Sequence, residues 1–97
     1  MGTYKLSETW EYNPMPQKIK QIGDVSIGDN LRRLRENANL TQDQVAAQLQ
    51  LRSFPVSRSI YSQMEPGTYN IRVSELMALV EIFHTDYNTI FRGLRYK

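Results

Sequence analysis

Two short helix starts, set back to back between Leu40 and Gly67, constrain this chain more than any other feature. The first reads Leu40-Thr41-Gln42-Asp43-Gln44-Val45. Thr41 can accept from the amide three positions on, and Gln44 can reach back to the amide of Thr41, which is capping-box spacing. Leu40 and Val45 sit where a hydrophobic staple would. The second start reads Val56-Ser57-Arg58-Ser59-Ile60-Tyr61. Ser57 is its natural N-cap, and Val56 and Tyr61 repeat the staple. Two capped starts separated by a turn, Gln50 to Pro55, predict two distinct helices.

The first of these helices, about Gln42 to Leu49, buries Val45, Ala46 and Leu49. Ala46 and Ala47 permit close helix approach. The second spans Arg58 to Met64, with Ile60, Tyr61 and Met64 as apolar candidates, and Pro66 and Gly67 stop it. Phe54 is expected to plug the core from the turn. An earlier helix begins near Ile27, where Ile27, Leu31, Leu34 and Ala38 form one apolar stripe. Ser26 can cap it, Asp29 suits its first turn, and Asn37 to Asn39 ends it. A loop with Tyr69, Asn70 and Arg72 leads to a fourth helix, about Val73 to Phe83, which buries Leu76, Leu79, Val80 and Phe83. Asp86 caps a last short helix holding Ile90 and Phe91. The acidic residues are read as solvated helix faces. The fold class is all-α.

The chain divides near Val25. Residues 1–25 hold Pro14 and Pro16 and few aliphatics, and read as an arm separate from the domain at 26–97. Within the arm, Tyr4, Leu6, Trp10 and Tyr12, with Glu8 among them, alternate with Lys5, Ser7, Thr9 and Glu11. That pattern reads as a strand, which must pair with something, fold onto the domain or remain disordered. No other strand is expected, so pairing with the same segment of a second copy is one way to satisfy it.

Composition narrows the function. With 97 residues there is room for one small core. The absence of cysteine rules out a disulfide framework and a thiolate metal site. No long apolar run or signal-peptide pattern occurs, so a soluble cytoplasmic protein with no membrane partner is expected. A net charge of +2 does not by itself specify a nucleic-acid partner. Between Gln21 and Tyr96, however, every basic residue is Arg, the cation suited to bidentate contact with phosphate and guanine. Histidine occurs once, at His84, after the fourth helix. No nucleophile-base set, phosphate-binding glycine loop or cofactor motif is visible, so no enzyme activity, metal or cofactor is expected. The helix beginning at Arg58 carries Arg, Ser and Gln where a helix would meet a polar groove. This layout suits a helix-turn-helix that reads DNA.

The stretch Ile27 to Leu94 resembles the Xre/Cro family of phage-repressor-type helix-turn-helix domains. The likeness rests on Leu31-Arg32-Arg33-Leu34-Arg35-Glu36, Leu40-Thr41-Gln42 and Ala46. It continues through Val56-Ser57-Arg58-Ser59, Met64-Glu65-x-Gly67, and Glu75-Leu76 to Phe83. The resemblance implies five short helices with DNA read by the third. It also implies a bacterial or phage transcriptional regulator, commonly a repressor that binds an inverted-repeat operator as a homodimer. Some relatives are antitoxins, so a protein partner with DNA bound for autoregulation is the alternative. By the same resemblance Arg58, Ser59, Ser62 and Gln63 contact bases, and Thr41, Gln42, Ser57, Tyr69, Asn70 and Arg72 contact phosphate. Arg35 and Glu65 pair as a structural salt bridge. Three departures stand out. The turn before the third helix is longer than the family's minimal one. Tyr61 replaces a usual buried Ile, so its hydroxyl needs a partner or the surface. Pro66 disfavours helical geometry at Glu65.

Overall fold

In the computed structural model, residues 18–19 and 26–94 are described. Five helices and a minimal pair of strands occur among them: β1 (Lys18–Ile19), α1 (Gly28–Asn37), α2 (Gln42–Leu51), α3 (Arg58–Met64), β2 (Ile71–Arg72), α4 (Val73–Ile82) and α5 (Tyr87–Ile90). The fold is all-α, as expected. The strand expected at Thr3 to Tyr12 and the basic end at 95–97 lie outside the described residues.

Local hydrogen bonds explain most helix starts. At α2 the amide of Gln44 donates to Thr41 Oγ1 at 3.1 Å, and the Thr41 amide donates to Gln44 Oε1 at 2.8 Å. The capping box is complete. The Ile60 amide donates to Ser57 Oγ at 3.1 Å at the start of α3. The Thr89 amide donates to Asp86 Oδ1 at 2.7 Å at the start of α5. That bond holds the Asp86 carboxyl below its ordinary pKa. Ser26 behaves differently from the expectation. Ile27 occupies the N-cap position of α1, and the Ser26 hydroxyl accepts from the Gly28 amide at 2.9 Å.

The core gathers Ile27, Leu31, Val45, Leu49, Val56, Tyr61, Met64, Ile71, Leu76, Leu79, Ile82, Phe83 and Ile90, all buried. Leu34, Phe54, Ile60 and Val80 pack against it while partly exposed. Helix α2 lies against α3 and α4, and α1 lies against α5. The Asn30 side-chain amide fastens the latter contact, donating to the Ile90 and Arg92 carbonyls at 2.7 and 2.9 Å.

Five local expectations are corrected. Helix α2 runs on to Leu51, so the turn starts later, and Ala47 faces solvent while Ala46 alone is buried. A Cβ-bearing residue at positive φ, Ser53 at 71°, then reverses the chain. Glu65 keeps right-handed helical dihedrals (φ −70°, ψ −41°) despite Pro66, because packing around it outweighs the proline preference. Residues 71–72, read as loop, form β2, which pairs antiparallel with β1 (Lys18 opposite Arg72, Ile19 opposite Ile71). A two-residue strand is too short to show a period. Phe91 is 40% exposed, since α5 ends at Ile90 and only that residue turns inward.

Candidate nucleic-acid interface

Helix α3 presents one polar face. Arg58, Ser59 and Gln63 are exposed on it, and Ser62 is half-buried. Arg58 Nε lies 3.7 Å from Asp43 Oδ1, with the two side chains 65% and 76% exposed. An ion pair that exposed is weak and leaves the guanidinium available. The Ser62 hydroxyl donates to the Ser59 carbonyl at 2.7 Å, so it is left as an acceptor rather than a donor. Thr41 and Ser57 each use one hydroxyl lone pair in capping, and their protons stay free to donate outward.

The other end of α3 is a junction of three helices built on Glu65, whose side chain is 6% exposed. Arg35 grips its carboxylate with both arms of the fork: Nε to Oε2 at 2.7 Å and Nη2 to Oε1 at 3.2 Å. The third guanidinium nitrogen donates to the Leu40 carbonyl at 3.0 Å. Gln42 Nε2 donates to Glu65 Oε1 at 3.1 Å. The structure therefore brings Arg35 and Glu65 together and places the Gln42 amide inside the domain. Burial opposes the charge on Glu65, but the bonds from Arg35 and Gln42 prevail and hold its pKa below the ordinary carboxylate value. Arg35 is raised, chiefly by the same bond.

Tyr61 lies fully buried beside this pair. Its hydroxyl feels the carboxylate's charge but makes no well-aligned hydrogen bond. Burial first, and Glu65 second, push the phenol far above its usual pKa. The backbone approaches closely too. A Cβ on Gly28 would collide with the Glu65 carbonyl oxygen, so glycine is what lets α1 seat on the end of α3.

Beyond α3, the loop residues are more committed than expected. Glu75, in the first turn of α4, is 0% exposed. The reading of the acidic residues as solvated faces is wrong for Glu75, and Glu65 too is buried at 7% exposed. Glu75 Oε1 accepts from the Arg72 amide at 3.0 Å, and its Oε2 accepts from the Tyr69 hydroxyl at 3.2 Å. Arg72 Nη1 stands 3.6 Å from Oε2, with the Arg72 side chain 35% exposed. The nitrogen Nε of Arg72 is buried without a partner. Burial, then the Glu75 charge, raises the Tyr69 phenol pKa. Asn70 is half-buried beside them. Sequence reasoning missed both Glu75 and Gly28. A signal for Glu75 existed: it shares one helical stripe with Leu79 and Ile82.

A model of the helix-turn-helix domain family matches residues 26–89, spanning α1 to the third residue of α5. The chain belongs to the helix-turn-helix domain family. The match is consistent with an Xre-type DNA-binding domain, and the matched span contains both α2 and α3. Comparison with curated proteins and with solved structures gave no match. Among the described residues of this helix-turn-helix domain, no helix is long and apolar enough to cross a membrane. Among the same residues no cluster of three or more His, Asp or Glu could hold a metal ion.

Proposed function

We infer that this helix-turn-helix protein is a sequence-specific regulator of transcription of the Xre/Cro type, without enzyme activity. It acts in the cytoplasm as a repressor, binding an inverted-repeat operator as a homodimer. The observation that carries the reading is the outer face of α3. Arg58, Ser59 and Gln63 stand exposed there on a helix whose inner residues, Tyr61 and Met64, are fully buried. The third helix enters the major groove, with Arg58 suited to guanine and Gln63 to adenine. Ser59 adds a hydroxyl, and Ser62 an acceptor.

Thr41, Ser57 and the start of α2 meet phosphate at the positive helix end. Asn70 and Arg72 meet it beyond α3, whereas the Tyr69 hydroxyl gives its one proton to Glu75 and so does not donate to phosphate, a correction to the expectation. Gln42 contributes through its backbone amide and one remaining side-chain N–H, because its other side-chain N–H serves Glu65.

Selecting bound duplexes from a random pool, then measuring affinity for the winner and for random DNA across salt, tests this reading. A regulator yields an inverted-repeat consensus and a steep salt dependence. Recovery of no consensus, with salt-independent retention, would turn the reading towards a protein-interaction module.

A further inference from the structure

We propose that Glu75 is a positioning residue for DNA-backbone binding: its sealed carboxylate holds Arg72, aiming its remaining donors at phosphate. The inference rests on the DNA-binding reading above and names a residue that contacts no DNA itself.

The comparison with α2 is what separates this from simple helix capping. At both helices the side chain three residues into the helix accepts from the N-cap amide. At α2 a neutral amide, Gln44, does so at 2.8 Å. At α4 a carboxylate does so at 3.0 Å and is fully buried. Capping therefore does not require a charge, and burying one is costly unless partners compensate. The partners that make use of the charge are the Tyr69 hydroxyl at 3.2 Å and the Arg72 guanidinium at 3.6 Å. Both lie in the segment between α3 and α4, Tyr69 in the loop and Arg72 at the end of β2.

Arg72 is only partly consumed. One end faces Glu75, and the side chain remains 35% exposed. A planar fork held at one end can present its remaining donors in a fixed direction. Because Glu75 is sealed, an incoming phosphate meets the partly exposed Arg72 and not the carboxylate. Association then loses less side-chain freedom than it would with a mobile arginine.

The test uses the full chain and a short fluorescent duplex of random sequence, titrated across salt, with each variant's melting curve compared with the parent. Glu75→Gln keeps an acceptor for the cap and removes the charge. It is expected to weaken binding about tenfold, the scale of one charge-assisted hydrogen bond. In an Arg72→Ala background it is expected to add no further loss, which a merely structural role would not produce. Arg72→Lys keeps the charge without the fork and is expected to lose as much as Arg72→Ala.

Parental affinity in a folded Glu75→Gln protein overturns the proposal, as do additive losses in the double variant. Where Glu75→Gln does not fold, Arg72→Lys decides: full affinity there overturns it. Absence of any salt-dependent binding by the parent protein would instead remove the DNA-binding reading, and this inference with it.

Discussion

Two buried carboxylates bracket the segment after α3, and they are held in different ways. Glu65 is met by a bidentate arginine at 2.7 and 3.2 Å from a helix 30 residues away in sequence. Glu75 is met by neighbours, at 3.0 to 3.6 Å, from within six residues. Arg35 has all three guanidinium nitrogens engaged and is 14% exposed. Arg72 has one nitrogen facing its acid, one buried and unpaired, and a side chain 35% exposed. The lesson is one of spare capacity. The first cation is spent on joining helices, whereas the second keeps donors for something outside the chain.

The contrast breaks most sharply at Arg35. Arg35→Ala should cost about 3–5 kcal/mol in urea unfolding, because Glu65 is left buried and unpaired. Replacing both partners with apolar residues of similar size should recover much of that loss. Arg72→Ala should cost less stability than Arg35→Ala, because its pair with Glu75 is longer, at 3.6 Å, and Glu75 keeps the Tyr69 hydroxyl and the backbone amide of residue 72 as donors. Equal costs would mean that the two arginines are spent alike.

Next comes Gly28→Ala, which forces α1 off the Glu65 carbonyl. A loss of about 1–3 kcal/mol is expected from overpacking. An unchanged melting temperature would show that the junction yields freely.

On the outer face, Arg58→Ala and Gln63→Ala should each cost about 1–3 kcal/mol on the selected operator, with little effect on random DNA or on melting. An unaltered specific-to-random ratio would mean that the longer turn has aimed α3 elsewhere.

The smallest effect is with pH. The folded pKa of Glu65 lies below the unfolded one. Its stabilisation is therefore complete above the unfolded glutamate value, about 4.3, and is lost as pH falls through the folded value. Urea midpoints measured downward from neutral pH should fall more steeply in the parent than in a variant with Arg35 and Glu65 both made apolar. Parallel curves would detach Glu65 from acid unfolding.

What the sequence made legible is whatever is decided within three or four residues. Thr41 with Gln44, Ser57 before Ile60 and Asp86 before Thr89 are such cases, and all form the bonds that their spacing suggests. The stripe from Ile27 through Leu31 was readable for the same reason. Contacts across the chain were less so. Nothing local says that Gln42 turns inward to Glu65, or that Gly28 must lack a side chain because another helix ends against it. The Arg35–Glu65 pair was foreseen only through family resemblance. Of the candidate site, the exposed face of α3 was legible from polarity. The engagement of Tyr69 and Arg72 by Glu75 was not, because a carboxylate on a helix is ordinarily taken for a solvated one.

The pairing of Lys18–Ile19 with Ile71–Arg72 separates two notions of where this domain starts. Homology starts it at residue 26. The backbone ladder starts it earlier, since the strand opposite the buried Ile71 comes from upstream of that point. A fragment trimmed to the homologous span would expose main-chain donors and acceptors beside the very arginine held by Glu75, leaving an open edge along β2.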